Sequence, residues 1–209
     1  MSENIEQPIY TFIHIPKCGG TCVENYFVNH YSDRIVGTTH KWIATKENHP
    51  IVIIRNPIDR FISLYNYWKN GSHGRNYRNA EFRNKYGQYS IKDFIRSIQQ
   101  QKTQDLVVGY VWRLHYYPQI HWIPKDTFSD AIVITYVDNL DHKIHQLLDF
   151  CQIPNKKIKL PVSNVTIKNP EEKVVLDDED YEWLYTHFKD DFELWENAFL
   201  NPGLFKKVI

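Results

Sequence analysis

The chain has 209 residues, of which 42% are apolar and 15% aromatic, and its 25 basic side chains balance 25 acidic ones. This composition suits a globular domain with a sizeable core, and zero net charge excludes a polyanion-coating protein held by an excess of Lys and Arg. The balance hides a division, because residues 41–102 carry a net +8 and residues 126–209 a net −7.

In chain order, Ile9 to Ile15 is a β-branched and aromatic run closed by Pro16, and a helix-compatible segment follows Gly19-Gly20. Pro50 to Arg55 is almost wholly apolar, as a strand covered on both faces should be. Asn56-Pro57 then opens a helix with Phe61, Leu64, Tyr65 and Trp68 at i, i+3, i+4, i+7. Lys69 to Tyr89 is polar, basic and rich in Gly and Asn, hence a surface loop, and helical segments follow near 90–102 and 104–116. Ala131 to Val137 is a third apolar strand, and Asp138 to Phe150 a third amphipathic helix, with Asp138 or Asn139 as its cap. A connection rich in Lys, Pro and Asn leads to an acidic helix from about Asp178 to Trp195. Strands alternating with helices predict an α/β fold of three layers, a central parallel sheet with helices on both faces. There is no internal repeat and no linker, so 1–209 reads as one domain with its core at about 9–197.

Three cysteines, Cys18, Cys22 and Cys151, are too few for a disulfide framework, and no Cys/His spacing suits zinc. The N-terminus lacks the basic and apolar regions of a secretory signal, and no apolar stretch approaches a membrane span. The expectation is a cytoplasmic or otherwise soluble intracellular chain that binds neither nucleic acid nor metal.

Two segments carry chemistry. Lys17-Cys18-Gly19-Gly20-Thr21 lies between the first strand and its helix. Glycines there let successive backbone N–H groups turn inward as an anion nest, the helix N-terminus adds partial positive charge, Lys17 a full one and Thr21 a hydroxyl. The lysine precedes the glycine pair, so this is not the Walker loop of a nucleoside triphosphatase. A plain strand-to-helix turn, tightened by Gly-Gly, is the competing reading. The second segment is Arg55-Asn56-Pro57-Ile58-Asp59-Arg60-Phe61-Ile62-Ser63, with Arg55 at a strand's carboxyl end, where open parallel sheets bind ligands. Arg55 suits a phosphate because guanidinium forks onto two oxygens; Ser63 can donate another hydrogen bond, and Arg60 is its neighbour on one helix face. The bland alternative is a local Arg55–Asp59 pair and a helix-face serine.

Together these segments resemble the sulfotransferases, specifically the carbohydrate sulfotransferases of the Golgi type and their smaller soluble relatives. Lys17 to Thr21 is similar to the family's 5′-phosphosulfate loop, and Arg55 to Ser63 to its 3′-phosphate motif. Three further stretches are similar to family segments: His40 to Thr45, Tyr136 to Leu140, and Leu160 to Thr166. The resemblance covers residues 10–196. It implies a P-loop-like sulfotransferase fold and 3′-phosphoadenosine 5′-phosphosulfate as donor. The implied reaction is direct in-line sulfuryl transfer to an acceptor hydroxyl, without a metal. The implied donor-binding residues are Lys17, Cys18, Gly19, Gly20, Thr21, Cys22, Arg55 and Ser63, with Thr166 or Lys168 as a later phosphate contact because Val165 stands where a Lys is common. Lys17 would neutralise the leaving phosphate oxygen, and His40 is the expected base, since a neutral imidazole accepts a proton near pH 7. Glu24 is the nearest carboxylate on the first helix. Tyr26, where some relatives place Glu or His, makes a poor base. His14 reads as a structural residue, and Cys18 is not needed as a nucleophile because in-line transfer forms no covalent intermediate.

The acceptor is expected to be a saccharide or glycan. Arg75, Arg78, Arg83 and Lys85 alternate with Tyr77, Phe82, Tyr86 and Tyr89, which suits sugar rings bearing anions, although a solvated basic loop has the same composition. Two other classes compete: a small-molecule kinase, recognised by magnesium-dependent ATP consumption, and a non-catalytic binder of a 3′-phosphorylated nucleotide such as coenzyme A, recognised by binding without turnover.

Overall fold

The computed structural model describes residues 8–37, 49–69, 84, 87–100, 115–136, 139–161, 174–200 and 207–208. The chain divides into two compact units, residues 1–55, 118–164 and 193–209 in the first and residues 56–117 and 165–192 in the second.

The first unit holds a five-stranded sheet of β1 (Tyr10–Ile13), β2 (Ile35–Gly37), β3 (His49–Arg55), β4 (Ile132–Tyr136) and β5 (Lys207–Val208). Its order is β2-β1-β3-β4-β5, and every neighbouring pair is parallel. The three apolar runs of the sequence are β1, β3 and β4; Ile51 to Ile54 and Ile132 to Val133 are buried, as both-face coverage requires. The strands β2 and β5, three and two residues long, carry too little periodicity to be read locally and exist as ladders on β1 and β4. Among the described residues this unit includes the helices α1 (Gly20–His30) and α4 (Leu140–Phe150), two short 3-10 helices at Gln119–Trp122 and Lys125–Asp130, and residues 193–200 of the last helix. From β1 the chain steps through α1 to β2 on one side, while from β4 it leads through α4 toward β5 on the other. Helices thus follow strands of a wholly parallel sheet, the α/β architecture expected. Asn139 caps α4, its side chain accepting from the His142 N–H at 3.3 Å, which decides between the two expected caps in favour of the one among the described residues.

The second unit contains α2 (Pro57–Lys69), α3 (Ile91–Gln100), α5 (Asp178–His187) and the start of α6 (Lys189–Leu200). Phe61, Leu64, Tyr65 and Trp68, the expected stripe of α2, are all buried and pack with Phe94 of α3 and Phe188. The Phe61 and Trp68 rings lie 5.5 and 5.0 Å from that of Phe94, within the range of favourable aromatic pairs. The single acidic helix expected from Asp178 to Trp195 is two helices that meet at Phe188. The Phe188 carbonyl accepts from the N–H groups of Asp191 and Phe192, starting a new helix whose first turn carries Asp190 and Asp191, the charges a helix N-terminus favours. The second expected helix of this region, 104–116, lies outside the described residues except for its end.

Asp177 caps α5 in a reciprocal capping box with Asp180 and also accepts from Lys92 of α3. The Lys92 bond, then the Asp180 backbone N–H, holds the Asp177 carboxyl below its ordinary range. A group lowered in the folded state stabilises above its unfolded pKa of about 4 and stops doing so as pH falls through the folded value. Asp177→Ala is therefore expected to lower the melting temperature at pH 7 and to narrow its difference from the wild type at pH 3. An equal difference at both pH values in calorimetry would overturn the assignment.

Candidate functional site

In the sheet order, the chain leaves β1 toward β2 and leaves β3 toward β4 in opposite directions, so the switch point lies between the carboxyl ends of β1 and β3. Open parallel sheets bind ligands in that crevice. The loop after β1, residues 14–19, holds Lys17 to Gly19, and the residue ending β3 is Arg55, so both sequence motifs begin at strand ends flanking this crevice.

Lys17 and Gly19 both have positive φ, 68° and 77°, and alternation with left-handed residues turns successive N–H groups to one side. Gly19 is also the N-cap of α1; no side chain caps that helix, and its first turn has no acidic residue. Close packing explains the glycine pair as well as conformation does. A Cβ at Gly19 would stand 2.7 Å from Tyr136 Cε2, and one at Gly20 would stand 2.2 Å from His14 Cδ2. Tyr136 and Leu140, the stretch whose likeness to the family had no stated role, therefore form the wall against which the loop is folded.

Arg55 crosses the crevice. Its Nη1 donates to the Lys17 carbonyl at 3.3 Å, and its guanidinium lies 5.0 Å from the centre of the Tyr136 ring. Of the five N–H donors of a guanidinium, the Lys17 carbonyl takes one. The residue is half-buried, and its partner is the β1 loop rather than Asp59. Asn56 instead accepts the N–H groups of Ile58 and Asp59 at the start of α2.

Arg60 differs from its expected place beside Ser63. It is 3% exposed, with Nη2 donating to the His115 carbonyl at 3.0 Å and Nη1 standing 3.9 Å from Asp191 Oδ2. Three-residue spacing makes helix neighbours of two positions, but a long side chain can turn under its own helix, and the buried Asp191 carboxylate draws the guanidinium inward. Arg60 therefore organises the second unit's interior. Ser63 is half-buried on α2 of that unit.

His14 is structural, as expected: it is buried, and its Nδ1 meets Glu24 Oε2 at 2.8 Å. Glu24, the carboxylate weighed beside His40, is thus buried against an imidazole, and Tyr26 is fully buried, with desolvation pushing its phenol well up. Cys18 is buried, Thr21 and Cys22 are half-buried in and beside the first turn of α1, and Cys18 Sγ donates to Gln119 Oε1 at 3.2 Å. His40, Thr166 and Lys168 lie outside the described residues, as does most of the loop from Lys69 to Tyr89. His115 lies in the interior, where its ring stacks on Tyr67 at 12°.

Sequence reasoning missed Gln119, whose amide grips both backbone groups of Arg55. The available signal was a lone amide in a run of aromatic and apolar residues, Tyr116 to Ile123.

Among the described residues, no group of three or more His, Cys, Asp or Glu could hold a metal ion, and no helix is long and apolar enough to cross a membrane. No curated protein and no solved structure matches the chain. The profile of the sulfotransferase family does match, over residues 10–197, which takes in β1 with its loop, β3 with Arg55, and the helices through most of α6. The chain belongs to the sulfotransferase family and is a sulfotransferase with an α/β fold.

Proposed function

We propose that this sulfotransferase takes its sulfuryl group from 3′-phosphoadenosine 5′-phosphosulfate, the donor the family generally uses, and places it on a saccharide hydroxyl. One observation carries the donor reading: the Arg55 guanidinium rests on the Lys17 carbonyl, so the two basic motifs meet in the crevice of the switch point. A donor with separated anions at its 5′ and 3′ ends suits two such groups. The Lys17 loop, Cys18 to Cys22 with it, takes the 5′ end; Arg55 takes the 3′-phosphate, and by the motif Ser63 shares it. Thr166 or Lys168 supplies the later phosphate contact.

The acceptor oxygen attacks sulfur in line. An O–S bond forms as the bond from sulfur to the 5′-phosphate oxygen breaks, and His40 accepts the hydroxyl proton. Lys17 offsets the charge that grows on the departing oxygen, and the loop amides hold the sulfuryl oxygens. The family match spans both units, which supports reading 1–209 as one sulfotransferase domain. A net +8 over residues 41–102 favours an acidic saccharide and a doubly anionic donor, with Arg60 withdrawn from the accessible charge.

Calorimetry with 3′-phosphoadenosine 5′-phosphate and with ADP tests the donor. The former should bind at least about tenfold tighter, the value of one good charge-assisted contact. Equal binding, or a magnesium requirement, would turn the reading toward a kinase. Labelled sulfate should then pass from donor to an acidic saccharide and fail to do so in His40→Ala; full activity in that variant removes His40 from the mechanism.

A further inference from the structure

The strand β3 outruns its neighbour β1. Their last paired residues are Ile13 and Val52, and Arg55 lies three positions beyond. Backbone N–H and C=O groups in a buried sheet need partners, and at Arg55 one side chain supplies both. Gln119 Oε1 accepts from the Arg55 N–H at 2.8 Å, and Gln119 Nε2 donates to the Arg55 carbonyl at 2.8 Å. A primary amide offers the same donor and acceptor as a peptide unit, so Gln119 acts as one residue of a missing strand. Its Oε1 also receives the Cys18 thiol at 3.2 Å, and the residue is 0% exposed.

These bonds close a ring. From the Arg55 backbone it passes through the Gln119 amide to Cys18, along the chain to the Lys17 carbonyl, and back to the Arg55 guanidinium. In an open arrangement, rotation about the Arg55 side chain would change how far its charge stands from the loop. In the closed one, both ends of that side chain are tied to the loop itself.

We propose that Gln119 is a positioning residue for donor selection: it sets the spacing between the Arg55 charge and the Lys17 loop, so that the site favours nucleotides carrying anions at both the 3′ and 5′ ends. The inference rests on the donor reading above. Gln119 touches neither end of the nucleotide and acts through Arg55 and Cys18, so its loss weakens discrimination by the 3′-phosphate.

Two variants separate this role from a structural one. Gln119→Met keeps length and removes every polar contact; Gln119→Glu keeps shape and acceptors but replaces the donor to the Arg55 carbonyl with an ionisable carboxyl oxygen. The readout is the ratio of dissociation constants, by calorimetry, for adenosine 5′-phosphate and 3′-phosphoadenosine 5′-phosphate, which differ only in the 3′-phosphate. This ratio is expected to fall about tenfold in Gln119→Met and by a smaller factor in Gln119→Glu. Leu148→Ala, a truncation in the interior face of α4, serves as a destabilised control and should keep the wild-type ratio. An unchanged ratio in the Gln119 variants, or an equal fall in Leu148→Ala, overturns the proposal while leaving the donor reading intact. If Gln119→Met does not fold, Gln119→Glu decides by the same ratio. A wild-type ratio near one refutes the donor reading itself, and the proposal with it.

Discussion

Lys17→Ala is expected to lower sulfuryl transfer about 10²–10³-fold, the usual cost of removing one preorganised group that stabilises charge in a transition state. The effect should fall mainly on kcat, because the charge on the leaving phosphate oxygen grows during the reaction. The φ of 68° at Lys17 supplies a control. A left-handed conformation costs an L-residue about 1–2 kcal/mol, and glycine escapes this cost. Lys17→Gly should therefore match Lys17→Ala in lost activity while melting at least as high, and Lys17→Arg should retain the most activity of the three. Initial rates with labelled donor, set beside melting temperatures, check the order. If Lys17→Gly keeps wild-type rates, the lysine charge is dispensable and the loop's backbone alone binds the donor.

Asp191→Ala is expected to destabilise the protein by about 3–5 kcal/mol, because breaking a buried ion pair takes a close counter-charge away from its partner. Asp191 is 0% exposed and Arg60 3%, so water cannot take over the lost partner's place. At 2–4 °C per kcal/mol for a chain of this size, the melting temperature should drop by roughly 6–20 °C. The double variant Arg60→Met/Asp191→Leu should lose less than the two single losses summed, since well-packed apolar residues can replace such a pair. Additive losses in thermal or urea denaturation would show that the two residues act independently.

Arg55 and Arg60 are five positions apart in one motif, yet they have unrelated tasks. Arg55 ends a strand, so its side chain projects over the carboxyl edge of the sheet and reaches the Lys17 carbonyl. Arg60 occupies the first turns of α2 and turns into an aromatic interior that also holds Asp191. Local spacing identifies such residues as helix neighbours, but the destination of a long, flexible side chain depends on a partner 131 positions away. The break at Phe188 has a similar origin. Periodicity runs on through residues 178–195, while Phe188, whose ring sits among Phe61 and its neighbours, caps one helix just before the next begins.

Several features were legible because their causes are local. Apolar runs made strands, Gly19-Gly20 and Asn56-Pro57 marked helix starts, and two motifs in order at strand ends were enough to indicate a sulfotransferase. The tertiary structure alone decided that the ends of β1 and β3 form the switch point and that Tyr136 walls the Gly19 turn. It also withdrew Arg60 into an interior and made Gln119 the clamp on Arg55. These depend on contacts between residues 38 to 131 positions apart, and a contact of that span leaves no period or local propensity in the sequence that forms it.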